Sequence, residues 1–418
     1  MSRIITNKVQ DNYIIYLGGS ITQSTNFEYL KTKKYKVLLI DQNPNCYCRR
    51  YCDFFLNISQ TNIKKILLNL KNFFHNKKFQ VIDCFGVAHY SYPAVNEIKL
   101  KYVKNSIDDK FLMNKYVQKK KTKKSTLTPI SMLLPDKKRL INKTKYYWQK
   151  IYQFYKKNNC KIYAKSNGTH QGQGIIELHT KTSKAAFLKE YRKPILDLYK
   201  NTKNVYLEKK VEGKLLNLDF IKKSDGQVIF LPLIYRDRVI FDDEKKYLSV
   251  FQYLDNSNTI KRKHYEEIST IIKKIFKDIS IFGTIDMIVN DNHAQILEWS
   301  PHFHNSKIYD FLNNTKVLDI YMGETKNDSQ IKMLQKTVRG GYIFVHDENK
   351  ETKKLFNFVK KNSTKILIDY IDTGRRKNFL KKHAFIIKKF HILYFKTSSM
   401  KNLLNISNYI EINKKLLY

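Results

Sequence analysis

The chain has 418 residues, 42% of them hydrophobic, which is enough for a sizeable core in two or three domains and excludes wholesale disorder. Lys plus Arg total 78 against 37 for Asp plus Glu, a formal net charge of +41; this raises nucleic acid or an acidic membrane surface as partners. No apolar run approaches the roughly 18–20 residues of a membrane span, and the opening MSRIITNKVQDN lacks the apolar core of a secretory signal, so a cytoplasmic chain beginning at or near Met1 is expected.

In chain order, Tyr13–Leu17 (YIIYL) is a short apolar run followed at once by Gly18, Gly19 and Ser20. A helix is predicted over Thr22–Lys31, a second strand over Lys36–Ile40, a helix over Ile63–Phe74 and a third strand over Val81–Phe85. Strand, glycine turn, helix, strand is the pattern of a doubly wound parallel sheet. The glycine turn does not meet G-x-G-x-x-G, so alone it is a weak sign of a dinucleotide site. A short helix is predicted over Asp109–Val117, with Lys110 near its start, and a polar, basic loop over Lys119–Pro129. Lys161–Lys165 reads as a strand, Gly168–Gly174 as a glycine-rich loop, Ile175–His179 as a further strand, and Val205–Leu207 as a strand running into Glu208. Two hairpins follow, one turning at Ser224–Gly226 and one at Asn290–Asn292, with an amphipathic helix over His264–Phe276 between them. From about Gly340 short apolar strands again alternate with Lys-rich helices.

The charge is spread along the whole length, with runs at Lys119–Lys121, Lys123 and Lys124, and Arg375–Lys377; it comprises 67 Lys and only 11 Arg. Arg is the better reader of phosphates and base edges, because its planar fork binds two oxygens. The composition, rich also in Asn, Ile, Tyr and Phe, reads first as compositional drift, with nucleic acid the less favoured partner. Five cysteines without a signal peptide indicate a reducing compartment. Cys46, Cys48 and Cys52 lack paired C-x2-C spacing and a nearby histidine, and read as small residues beside a strand end rather than metal ligands.

The chemistry-bearing pattern is the second hairpin. Asp286 and Glu298 lie symmetrically about Asn292, so a regular antiparallel hairpin sets them opposite each other on one face, with Ser300 two residues further on the same side. Facing carboxylates repel unless a cation sits between them, and such oxygens suit magnesium. A solvated hairpin whose acids meet nearby lysines explains the same residues. Lys165 followed by Gly168, Thr169, Gly172 and Gly174 forms a strand–loop–strand whose amides can close over phosphates; it is not a P-loop, and an ordinary flexible loop remains open. Glu208, at the end of its strand, could accept from an exocyclic amine, the backbone near Lys210 and Val211 pairing with the ring edge; an exposed strand-end Glu is the alternative.

Taken in order, these pieces resemble the ATP-grasp superfamily, most closely the carboxylate–amine ligase branch that includes carbamoyl-phosphate synthetase and biotin carboxylase. YIIYLGGSITQSTNFEYLKTKKYKVLLIDQNPNC resembles the family's preceding Rossmann-like domain, DDKFLMNKYVQ its first helix, KIYAKSNGTHQGQGI its lysine strand and flap, VYLEKKVEG its adenine hinge, and FGTIDMIVNDNHAQILEWSPHF its metal hairpin. The resemblance implies an α/β protein, α+β in its central part: a Rossmann-like domain over 1–105, an ATP-grasp domain over 106–330 with a flap at about 125–210, and a small C-terminal α/β segment over 331–418. It implies ATP held by Lys110, Lys165, Gly168, Thr169, Gly172, Gly174, Glu208, Lys210 and Val211, and Mg2+ or Mn2+ on Asp286, Glu298 and Ser300. The implied reaction activates a small carboxylate as an acyl phosphate for attack by an amine or similar nucleophile, with Lys165, Arg236 and Arg238 as catalytic candidates, the two arginines to hold the substrate carboxylate unless they are surface charges of a basic protein, and His302 and His304 candidates by position. The sequence departs from the family pattern at Ser300, where Asn is usual, at His302, where Arg is common, at Leu215, where a ribose-binding acid is expected, and at Ser166, where the flap strand carries Pro. A degenerate nucleotide- or polyanion-binding protein is the alternative these departures keep open.

Overall fold

The structure is a computed structural model, which describes residues 11–87, 89–104, 114–159, 161–167, 174–178, 183–200, 202, 204–241, 247–254, 260–290, 293–302, 305–323, 332–333, 339–345, 350–372 and 389–417. Its first strands and helices are β1 (Asp11–Leu17), α1 (Ser24–Thr32), β2 (Lys36–Ile40), β3 (Phe54–Leu56), α2 (Ile63–Phe74), β4 (Phe79–Gly86) and α3 (Tyr92–Tyr102). The four strands form a parallel sheet in the order β3-β2-β1-β4. Residues 13–17 of β1 are all buried, as expected for a strand covered on both faces. Helix α2 starts where the Asn62 side chain accepts from the Lys65 N–H (3.1 Å), and it buries Ile66, Leu70 and Phe74, four residues apart on one face. Gly18 sits at φ +101°, and a β-carbon at Gly19 would come within 2.7 Å of the Cys46 sulfur. Cys46 and Cys48 are buried packing residues, and burial holds the Cys46 thiol up at about 12.

Next come α4 (Lys115–Thr122), β5 (Ser131–Leu133), α5 (Lys137–Asn142), α6 (Thr144–Lys157), β6 (Ile162–Ser166), β7 (Ile175–Leu178), α7 (Lys184–Asp197) and β8 (Val205–Lys209). The strands form an antiparallel sheet in the order β5-β8-β6-β7, packed on Trp148, Tyr155, Phe187 and Tyr191 of the helices. Helix α4 corrects the sequence reading. It opens on Asn114, whose side chain accepts from the Val117 N–H (3.1 Å), and continues through Lys119–Thr122, where a loop was expected. The helix buries a polar face, Gln118, Lys119 and Thr122, so hydrophobic periodicity carries no sign of it. Most of the predicted helix over Asp109–Val117, with Lys110, lies outside the described residues.

The remainder comprises β9 (Lys214–Lys222), β10 (Val228–Phe230), β11 (Ile234–Phe241), β12 (Tyr247–Leu254), α8 (Arg262–Ile275), β13 (Ile281–Val289), β14 (Ala294–Ser300), α9 (Ser306–Asn313), α10 (Val317–Met322), β15 (Lys332–Met333), β16 (Gly340–Val345), α11 (Lys350–Lys361), β17 (Lys365–Asp372), β18 (Lys389–Lys396) and α12 (Met400–Leu417). Among the described residues one sheet runs β14-β13-β9-β11-β12-β16-β18-β17, with β10 and β15 off that path, so the strands after Gly340 continue the central sheet. The N-terminal sheet docks on it through a shared apolar cluster that includes Tyr16, Phe27, Phe85, Phe282, Tyr309 and Tyr394. Among the described residues no helix is long and apolar enough to cross a membrane.

Candidate active site

The site is built on adjacent strands of the central sheet. Strand β13 lies between β9 and β14, so Asp286 has Asn217 on one side and Glu298 directly opposite on the other. The hairpin is not the regular one the count about Asn292 assumed. Its turn is closed by Asn290 N–H to the His293 carbonyl (3.0 Å), and Val289 pairs with Ala294. Regular continuation from there would set Asp286 against Leu297. A bulge between Asp286 and Met287 on one strand, leaving Leu297 as the extra residue on the other, brings Glu298 into place. Leu297 and Glu298 are accordingly both half-buried, breaking the alternation of β14.

Each acid already has a cationic or amide partner. Asn217, fully buried, donates through Nδ2 to Asp286 and accepts from Arg236 Nε. Arg236 Nη2 also lies 3.4 Å from Asp286 Oδ1. Across the hairpin, Lys115 at the start of α4 pairs with Glu298 (2.5 Å). Ser300, buried, stands opposite Thr284, whose hydroxyl lies between two acceptors, the His302 carbonyl (2.6 Å) and the Asp219 carboxylate, and donates to one of them. Two carboxylates on one face, facing ammonium, guanidinium and amide donors, form a hard-oxygen set that could hold a divalent cation. Among the described residues no group of three or more His, Cys, Asp or Glu does so.

Lys165 on β6 and Glu208 on β8 are close neighbours across the flap sheet, because Lys165 pairs with Tyr206 and Tyr163 with Glu208. The two side chains form an ion pair. Glu208 is 1% exposed, which removes the alternative of an exposed strand-end acid. Its other oxygen pairs with Lys119 of α4 at 2.5 Å. Burial raises the Glu208 carboxyl, but Lys119 and Lys165 outweigh it and hold the group below its ordinary value. Burial pushes the Lys119 ammonium down, against the attraction of Glu208. The base of the flap is closed by Ser166 N–H to the Gly174 carbonyl (2.9 Å), and Gly174 has φ +65°. Gly168, Thr169 and Gly172 lie outside the described residues, as does His304. Lys210 pairs with Glu177 (2.5 Å), its own N–H donating to the Lys161 carbonyl (3.0 Å). Val211 follows on the connection to Gly213, where a β-carbon would lie 2.5 Å from the Val289 carbonyl, so the hinge crosses close over the end of β13. The backbone of Arg238 lies on β11, two residues beyond Arg236; its side chain is outside the described part.

Sequence reasoning missed Lys115, Lys119 and Asn217. A signal existed for the first two: they lie four apart and follow Asn114, a good helix cap, so they share one helix face. Asn217 becomes visible only with the β9–β13 register.

No protein-family model matches the chain, and no curated protein matches it. Solved structures do match, and they show the fold: the chain has the ATP-grasp fold. In particular it is similar to N5-carboxyaminoimidazole synthetase from Staphylococcus aureus complexed with ADP, at 15% identity and TM-score 0.65 over 96% of this chain and 97% of that one. It is similar to carboxyaminoimidazole ribonucleotide synthase from Aspergillus clavatus complexed with ATP, at 12% identity and TM-score 0.67 over 97% and 99%. It is also similar to the L-amino acid ligase from Bacillus licheniformis, at 8% identity and TM-score 0.67 over 97% and 98%.

Proposed function

We propose that the protein is an ATP-dependent ligase that activates a small carboxylate as an acyl phosphate and passes it to an amine or similar nucleophile. The observation that carries this reading is the meeting of Asp286 and Glu298 across β13 and β14, with Lys115 of α4 on Glu298 and the Lys165–Glu208 pair below the flap. The similar structures bound to ADP and ATP support the nucleotide, and the ligases among them support the reaction class. The domain division at 1–105, 106–330 and 331–418, and a reducing cytoplasmic setting for the free cysteines, belong to the same proposal.

Asp286 and Glu298 fit Mg2+ or Mn2+, with Ser300 a weaker ligand than an amide. When bound, such an ion offsets the charge of the terminal phosphates. Glu208 and the backbone at Lys210 and Val211 take the adenine; Lys165, Gly168, Thr169, Gly172 and Gly174 cover the phosphates. The phosphate-facing lysine of the first helix is Lys110 by the sequence resemblance, and Lys115 by its place beside Glu298. Lys115 and Lys165 stabilise charge that develops on the transferred phosphoryl group. Arg236, already turned toward Asp286, and Arg238 hold the substrate carboxylate. The flap excludes water that would hydrolyse the acyl phosphate.

The test is phosphate release from ATP across a panel of amino acids and small carboxylates, with and without Mg2+, using Asp286→Asn as the blank. Release that requires a particular carboxylate and Mg2+, and that is lost in the blank, is expected. Equal release by wild type and blank overturns the reading.

A further inference from the structure

Glu208 has two lysine partners where one would neutralise it. Lys165 stands at the base of the flap and is 13% exposed; Lys119 is 3% exposed, enclosed between α4, β8 and β14, and also donates to the Ile296 carbonyl at 3.3 Å. The two lysines therefore differ in freedom. Lys165 is the more exposed of the two. Lys119 is held by Glu208 and the β14 backbone.

We propose that Lys119 is a positioning residue for nucleobase selection: it stays on Glu208 when Lys165 turns to the nucleotide, and so keeps the carboxylate an acceptor-only group aimed at a 6-amino purine. This rests on the nucleotide reading given above. Without Lys119, departure of Lys165 would leave Glu208 as a buried, unpaired anion. Such a group takes up a proton rather than remain charged. A protonated acid can donate as well as accept, so it no longer rejects a 6-oxo base. With Lys119 in place the acid keeps lone pairs for the exocyclic amine and has no proton to offer a carbonyl. A site whose buried polar group is matched to one partner discriminates strongly against the analogue that leaves it unmatched.

The experiment is calorimetric titration of the full-length protein with ATP and with ITP, which replaces the 6-amino group by a carbonyl, in wild type, Lys119→Met and Lys119→Arg, with inorganic tripolyphosphate as the phosphate-only probe. Wild type is expected to prefer ATP by about tenfold or more. Lys119→Met should bring the ATP:ITP ratio close to unity while leaving tripolyphosphate affinity within about twofold, a pattern that loss of structure would not produce. Lys119→Arg, which retains the charge, should restore the preference. Should Lys119→Met fail to fold, Lys119→Gln, which keeps a polar side chain beside Glu208 but removes the charge, takes its place and is expected to show the same loss of preference. An unchanged ratio in folded Lys119→Met, or in Lys119→Gln, overturns the inference alone. Failure of wild type to bind either nucleotide overturns both the inference and the nucleotide reading beneath it.

Discussion

Lys115 and Lys119 stand one helical turn apart and each holds one acid, Glu298 and Glu208 respectively. Lys115→Met should lower kcat/KM for ATP by about 100-fold or more, as expected when charge stabilisation is removed from phosphoryl transfer, while the melting temperature moves little; steady-state kinetics beside a thermal melt checks both. Glu208 carries a pH consequence. Its carboxyl is held below its ordinary value in the fold, so the stabilisation is complete above the unfolded-state range, about pH 4.5, and is lost as pH falls through the lowered folded value. The melting-temperature advantage of wild type over Glu208→Gln should therefore be full near neutrality and shrink in acid; an advantage that grows on acidification contradicts the assignment. Asp286 and Glu298 were legible in the sequence because their spacing across a turn is a chemical pattern. Lys119 was hidden among Lys119–Lys121, where its inward neighbour-to-neighbour difference from Lys120 and Lys121 depends on the helix that carries it.

Helix α4 also secures the exposed side of the hairpin. Strand β14 is the edge of the central sheet, and an uncovered edge leaves backbone groups unpaired. Gln118, 2% exposed, donates to the Trp299 carbonyl (2.8 Å) and accepts from the Trp299 N–H (3.0 Å), as a neighbouring strand would. Gln118→Leu removes both bonds and leaves buried backbone groups unmatched, at a cost of about 1–3 kcal/mol for each such group. Faster hydrogen exchange at the Trp299 amide and through α4, with a lower urea midpoint, is the expected result. The strands and most helices were readable because their buried faces are apolar: β2 and α2 have the predicted bounds. Helix α4 was not, since its inward face is Gln118, Lys119 and Thr122. The hairpin shows a different limit. Its count of residues named the right acid pair, but a bulge at Leu297, invisible to counting, makes the pairing.

Across the whole molecule, the positive field should draw ATP toward the site and weaken as salt rises. KM for ATP should increase with potassium chloride while kcat changes little, and a flat KM would assign the charge no part in binding. ADP with Mg2+ at about 100 times its Kd should stabilise the fold by about 2.7 kcal/mol, seen as a raised melting temperature that Asp286→Asn diminishes. The order of the chain, parallel sheet then flap then acid hairpin, was legible in the sequence because each piece is local. The joining of the strands after Gly340 to the central sheet was not, since it depends on long-range pairing of β12 with β16. The central claim is that a carboxylate oxygen attacks the terminal phosphate above Asp286 and Glu298. Its most direct test uses the carboxylate that supports turnover, labelled with heavy oxygen, and mass analysis of the phosphate released. A single labelled oxygen in that phosphate, with no product from Asp286→Asn, is the predicted result; unlabelled phosphate, the mark of attack by water, would contradict the account.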